Sequence, residues 1–186
     1  ALSGDVILAA NAILMHFVAT TAYLLDGFAI ASESLIGRAI GKSDRNGFLK
    51  VAKISTAWGF GVAILATLII FSTGPYLIHL LTIDPSVRFQ ANKFLPWAAT
   101  APIIAVWCYQ LDGIFLGAAW TADMVKSMIF STFLFFITWW ALTPLGNLGL
   151  WISLYVHFCA RAGSLAYFFP KLLNRDLPLN KILVKN

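Results

Sequence analysis

Residues 54–81 read ISTAWGFGVAILATLIIFSTGPYLIHLL, with no Asp, Glu, Lys or Arg among them. A bilayer core about 30 Å thick needs only about 20 apolar residues in helical form to cross it. The run lacks the ten-residue alternation of an outer-membrane strand. A helix is therefore the remaining way to satisfy its backbone N–H and C=O groups in lipid. Gly74-Pro75 predicts a bend near its end. Four more apolar stretches flank it, at residues 6–25 (continuing, less apolar, to 40), 94–118, 128–145 and 150–169. The pattern predicts an all-α integral membrane protein, a polytopic helical bundle of about five transmembrane helices spread over residues 1–170, with a basic tail at 171–186.

Composition agrees. Of 186 residues, 60% are apolar and 11% charged, with a mean hydropathy of +0.81. A soluble domain carries about 25% charged residues. So little charge does not cover a water-facing surface, which excludes a soluble enzyme, a nucleic-acid-binding domain and a disordered tail. Cys108 and Cys159 both fall inside apolar stretches and read as small buried residues, not a disulfide or metal framework. The opening ALSGD has no basic flank of the kind a signal peptide carries. With no initial Met, the chain reads as a piece of a longer protein.

Helix punctuation separates the stretches. Asp84-Pro85 places a capping residue before a proline at the first helical position, so the third helix should begin before the membrane. Ser43 or Asp44 should cap the second helix and Thr121 or Asp123 the fourth. Gly146-Asn147-Leu148-Gly149 reads as a tight turn. Pro96 and Pro102 should kink the third helix.

Charge gives orientation. Alternate connections and the tail collect ten Lys or Arg, among them Arg38, Lys42, Arg45, Lys50 and Lys53. The opposite side holds Arg88 and Lys93, and Arg161 stays inside a span. The richer side should be cytoplasmic. This predicts a multi-pass protein of a bacterial inner membrane that starts outside and ends with a cytoplasmic C-terminus. The tail reads as a frayed cytoplasmic end, because Pro178 interrupts its amphipathic pattern. Trp58, Trp97, Trp120, Trp139, Trp140 and Trp151 tend toward the stretch ends, as interfacial aromatics do.

The chemistry concentrates in residues 24–41. In a helix, Asp26 and Glu33 lie seven residues apart on one face, with Ile30 and Gly37 along it. Small residues surround them, and small residues let helices approach closely in lipid. Gly27, Gly37, Gly113 and Gly117 are packing positions on this reading. An intramembrane carboxylate is costly and normally faces a cavity or a partner. Asp26 or Glu33 either exchanges a proton or cation, or serves as a fixed interhelical hydrogen-bonding group, or lies beyond the hydrocarbon. Asp112 repeats the Leu-Asp-Gly pattern and suits pairing with a neighbouring helix end or a basic loop residue. Arg161, with His157 at i−4, either snorkels or pairs with Asp26, Glu33 or Asp112. His16 and His79 read as structural residues, and no histidine spacing suggests a metal. No nucleophile elbow or phosphate loop appears, so an enzyme is not expected.

Six segments carry a resemblance: GDVILAAN at 4–11, LDGFA at 25–29, ESLIGRAIG at 33–41, LPW at 95–97, LDGIFLG at 111–117 and GNLGLW at 146–151. In order and spacing they resemble the multidrug and toxic compound extrusion (MATE) family, most of all its DNA-damage-inducible branch, over about residues 4–170. The resemblance implies a twelve-helix antiporter of two six-helix lobes, of which this chain looks like helices eight to twelve. Its partner would be the missing N-terminal lobe, its substrates cationic or amphipathic small molecules. No cofactor is implied beyond a coupling ion, with H+ favoured over Na+. The sodium-using branch carries a carboxylate about two turns before the position of Asp112, and Ala105 stands there in this chain. The first, third and fifth helices should line a cavity. Trp107, Tyr109 and Phe115 would offer aromatic faces to a cation or simply pack. Asp26, Glu33, Asp112, Tyr109 and Arg161 are thus the candidate ion or substrate residues. The rivals are a related flippase of lipid-linked precursors, which would need a cationic cavity, and a non-transporting membrane scaffold.

Overall fold

The computed structural model describes residues 2–177. The stretches become five helices: α1 (Leu2–Gly41), α2 (Arg45–Leu81), α3 (Pro85–Gly117), α4 (Thr121–Ala141) and α5 (Asn147–Asp176), with one 3₁₀ turn at Thr143–Leu145. The apolar stretch 6–25 and its less apolar continuation form one 40-residue helix. At 1.5 Å per residue it is about 60 Å long, roughly twice the hydrocarbon core. The first four helices are long and apolar enough to cross a membrane. The fifth, interrupted by Ser153, His157 and Arg161, is long but less apolar and falls outside that group. It runs past residue 170 to Asp176, so the tail expected from 171 begins as helix, and residues 178–186 lie outside the described residues.

α3 is the hub. It packs against α1, α2 and α5, and α4 packs mainly on α5. In the most apolar window of α3, 61% of residues are buried, against 11% in α4. α4 is inverted relative to a soluble helix. Its buried residues are Asp123, Ser127 and Ser131 at i, i+4 and i+8, while Phe130, Phe133, Phe136, Trp139 and Trp140 are exposed. Small polar residues face the neighbouring helix and large apolar ones face outward, as lipid requires.

The ends follow local chemistry. Asp44 caps α2, its carboxylate accepting from Gly47 N at 2.8 Å. Asp84 caps α3, accepting from Ser86 N at 2.8 Å with Pro85 next in line. The Ser86 hydroxyl, then the Ser86 amide, hold the Asp84 carboxyl below its ordinary range. The fourth helix departs from expectation. Trp120 stands at its N-cap with no side-chain cap bond, and Asp123 lies one turn in, paired with Lys126 at 2.9 Å. Arginines close two other ends. Arg88 donates to the carbonyls of Thr82 (2.8 Å) and His79 (2.9 Å) at the end of α2. Arg45 donates to those of Leu173 (3.3 Å) and Leu177 (2.5 Å) at the end of α5.

α3 passes through Pro96 and Pro102 as one continuous helix. A proline removes a backbone donor and disturbs the carbonyls a turn earlier. Side chains serve carbonyls in this region. Thr67 of α2 donates to Ala99 O (2.8 Å), Tyr155 of α5 to Trp97 O (2.6 Å), and Thr100 to Pro96 O (2.7 Å). The bonds from Thr67 and Tyr155 tie α3 to α2 and α5. Cys108 is buried as expected, but Cys159 is exposed, on an outward face of α5.

Candidate functional site

The site begins with how α1 and α3 meet. Gly113 and Gly117, one helical turn apart, sit against the backbones of Ala29 and Glu33, and a Cβ at either glycine would collide with them. Gly37 abuts the Gly117 carbonyl, 3.3 Å from where its own Cβ would stand. Such small-residue spacing is what brings helices close in lipid. Gly27 is different. A Cβ there would meet nothing within 4 Å, so it takes no part in the contact read for it. It lies two residues before Ala29, about 200° around the helix from the contact.

This close approach lays the Asp26–Glu33 stripe beside the Asp112 turn of α3. A pocket of about 260 Å³ opens between α1, α3 and α5. Asp26, Ile30 and Glu33 line it from α1, Cys108, Tyr109 and Asp112 from α3, and Phe158 and Arg161 from α5, with Met124 of α4 at the edge. The five candidate side chains therefore border one space.

Arg161 resolves its choice of partner. Its Nη2 lies 2.8 Å from Asp112 Oδ2, and its Nε donates to Asp112 Oδ1 at 3.3 Å. The fork of the guanidinium matches both carboxylate oxygens. Asp112 thus pairs with a cation inside a neighbouring helix, not with a loop residue. The Cys108 thiol, one turn earlier on α3, donates to the same carboxylate at 3.7 Å. Asp26 and Glu33 have no hydrogen-bond or ion-pair partner among the described residues.

Of the three aromatics considered for a cation, Tyr109 alone borders the pocket. Phe115 is fully buried in the core at the Trp120 end of the bundle. Trp107 points outward and stacks edge-on against Phe60 of α2, centroids 5.1 Å apart. Its place at the pocket is taken by Phe158, which sequence reading missed, although it precedes Arg161 by three residues and so shares its helix face. Tyr109 and Phe158 also line a void of about 10 Å³ bordered by Leu25, Pro102 and Ala105, so both residues border the two spaces.

The MatE family model matches residues 1–140. The DNA damage-inducible protein F of Escherichia coli (strain K12) is 38% identical over 163 residues, which cover 88% of this chain and 36% of that relative. The chain belongs to the MATE family.

The chain spans little more than a third of the relative it matches. This MATE chain is a multi-pass helical membrane protein, and its pocket crosses the limit of the family model. The α1 and α3 walls lie within residues 1–140, whereas Phe158 and Arg161 lie beyond them.

Proposed function

We propose that this chain is part of a secondary active antiporter that exports cationic or amphipathic compounds, and that the α1–α3–α5 pocket holds the exchanged cation. One observation carries the reading. The pocket wall presents three carboxylates and one guanidinium, and the guanidinium is already committed to Asp112. Asp26 and Glu33 remain to meet a proton or a cationic guest. Membership of the MATE family supports transport as the role.

Proton coupling suits the spacing better than sodium. Asp26 and Glu33 are separated by about 10 Å along the helix axis, too far to share one small ion. Ala105, which stands where the sodium-using branch has its carboxylate, borders the small void and is absent from the pocket lining. A flippase for lipid-linked precursors would want unpaired cations to receive an anionic headgroup, and the pocket lining has Arg161 alone, already paired. The excess of Lys and Arg at the α1–α2 turn, the start of α4 and the end of α5 supports a bacterial inner-membrane setting with the C-terminus cytoplasmic.

The test is gradient-driven dye uptake into inverted vesicles, the direction that corresponds to export from the cell, with the protein expressed from its complete gene. Asp26→Asn and Glu33→Gln should each slow gradient-driven export and alter its pH profile. Unchanged export and unchanged pH dependence in both variants would overturn the assignment. The 186-residue chain alone should not export dye, and robust export by it would refute the half-transporter reading.

A further inference from the structure

On another flank of α1 lies a groove of about 300 Å³ between α1 and α2, separate from the carboxylate pocket. Phe28, Ala31 and Leu35 form one wall and Val51, Ile54 and Trp58 the other. Ser32 and Ser55 also border it, but their hydroxyls sit against their own helices, 2.8 Å from Phe28 O and 3.3 Å from Ala52 O. The trough is therefore apolar. It is also open, with Trp58 66% exposed and Ile54 46%.

Lys50 is the one charged residue in the groove lining, and it sits near the α1–α2 turn. Trp58 lies eight residues further along α2, about 12 Å deeper. One leaflet of the hydrocarbon core is about 15 Å deep. The groove thus runs most of a leaflet, from a cationic mouth to an aromatic end. Arg38, three residues beyond Leu35 on α1, and Lys53, three beyond Lys50 on α2, are exposed at the same end.

We propose that this groove binds an anionic phospholipid, with an acyl chain along the Ile54–Trp58 wall and the headgroup phosphate at Lys50. An apolar trough of leaflet depth accepts the chain of any phospholipid. The cluster of Lys50, Lys53 and Arg38 selects the headgroup. A zwitterionic lipid brings its own ammonium group and cancels much of the attraction, whereas an anionic one does not. Each Lys or Arg near the surface is worth roughly fivefold in attraction for an anionic lipid. The competing occupant is a helix from elsewhere in the full-length protein.

The experiment uses the protein expressed from its complete gene in nanodiscs. Phosphatidylglycerol or phosphatidylcholine, each brominated in the middle of the acyl chain, is added at equal mole fraction. Subtracting the signal of Trp58→Phe isolates quenching at Trp58. Brominated phosphatidylglycerol should quench Trp58 at several-fold lower mole fraction than brominated phosphatidylcholine. Lys50→Gln combined with Lys53→Gln and Arg38→Gln should abolish the difference, and Lys50→Arg alone should keep it. Equal quenching by both lipids in the wild-type protein would overturn the proposal in favour of bulk lipid. Absence of quenching by either would overturn it in favour of a covering protein segment.

Discussion

Arg161 of α5 grips both carboxylate oxygens of Asp112 on α3, at 2.8 and 3.3 Å, and the two form the one ion pair between helices among the described residues. Their side chains are 16% and 14% exposed. Removing one partner strands a charge in a poorly solvated place, at a cost of about 3–5 kcal/mol, whereas replacing both with apolar groups is often neutral. Arg161→Met should therefore lower unfolding stability in detergent by that amount. The double variant Asp112→Leu/Arg161→Met should recover to within about 1 kcal/mol of the wild type. Additive losses in the double variant would show that the pair does not act as a unit.

Close contact of α1 with α3 rests on two glycines. A methyl group at Gly113 would meet the backbone of Ala29, which has no rotamer by which to move away. Overpacking of this kind costs roughly 1–3 kcal/mol, so Gly113→Ala should lower the thermal midpoint, and Gly113→Leu should prevent assembly. Gly27→Ala is the control. Its Cβ enters open space, and alanine favours a helix by up to about 1 kcal/mol over glycine. The midpoint of Gly27→Ala should hold or rise. A fall like that of Gly113→Ala would refute the assigned contact.

Spacing and residue type within one helix were readable for α1, α2 and α3 and for the packing glycines Gly113 and Gly117, whereas which side chains meet across helices was not. The Asp26–Glu33 stripe follows from seven-residue spacing alone, and the Asp44 and Asp84 caps from local residue types. The pairing of Arg161 with Asp112 rather than Asp26 or Glu33 depends on how α3 seats on α1 and α5. Asp26 and Asp112 share the Leu-Asp-Gly context, yet only the glycine after Asp112 meets a neighbouring helix. Tyr109 and Trp107 are two residues apart, so they point to different sides of α3, and only the packing says which side is the pocket. The buried row of Asp123, Ser127 and Ser131 in α4 has a four-residue period in the sequence, but hydropathy marks the lipid-facing residues of that helix and not this row.

Asn11 joins two helices that are otherwise far apart in the chain. Its amide donates to Asn147 Oδ1 at 2.6 Å and accepts from Asn147 Nδ2 at 3.1 Å and Trp151 Nε1 at 3.3 Å. Trp151 is buried, so its N–H has little access to another partner. Asn11→Leu leaves these donors unsatisfied and should cost roughly 1–3 kcal/mol. Adding Asn147→Leu should cost little more, since its partner is already gone. Double-mutant analysis by thermal unfolding measures the coupling, and full additivity would contradict the shared network.

Two turns on the same side of the bundle place a non-glycine residue where glycine is preferred. After α1, Ser43 adopts φ +54° and Asp44 N donates to Ala39 O at 2.9 Å. After α3, Ala119 adopts φ +59° and Trp120 N donates to Phe115 O at 2.9 Å. Both are six-to-one helix-ending bonds with a left-handed residue just before the donor. A Cβ makes this conformation unfavourable by roughly 1–2 kcal/mol. Part of that returns when glycine is substituted, because glycine loses more freedom on folding. Ala119 is exposed, so the methyl group contributes little packing. Ala119→Gly should therefore raise unfolding stability by up to about 1 kcal/mol, and Ala119→Val, with a branched Cβ at positive φ, should lower it. A lower midpoint for Ala119→Gly would mean that the Ala119 methyl group holds the turn onto α4 more strongly than its exposure implies.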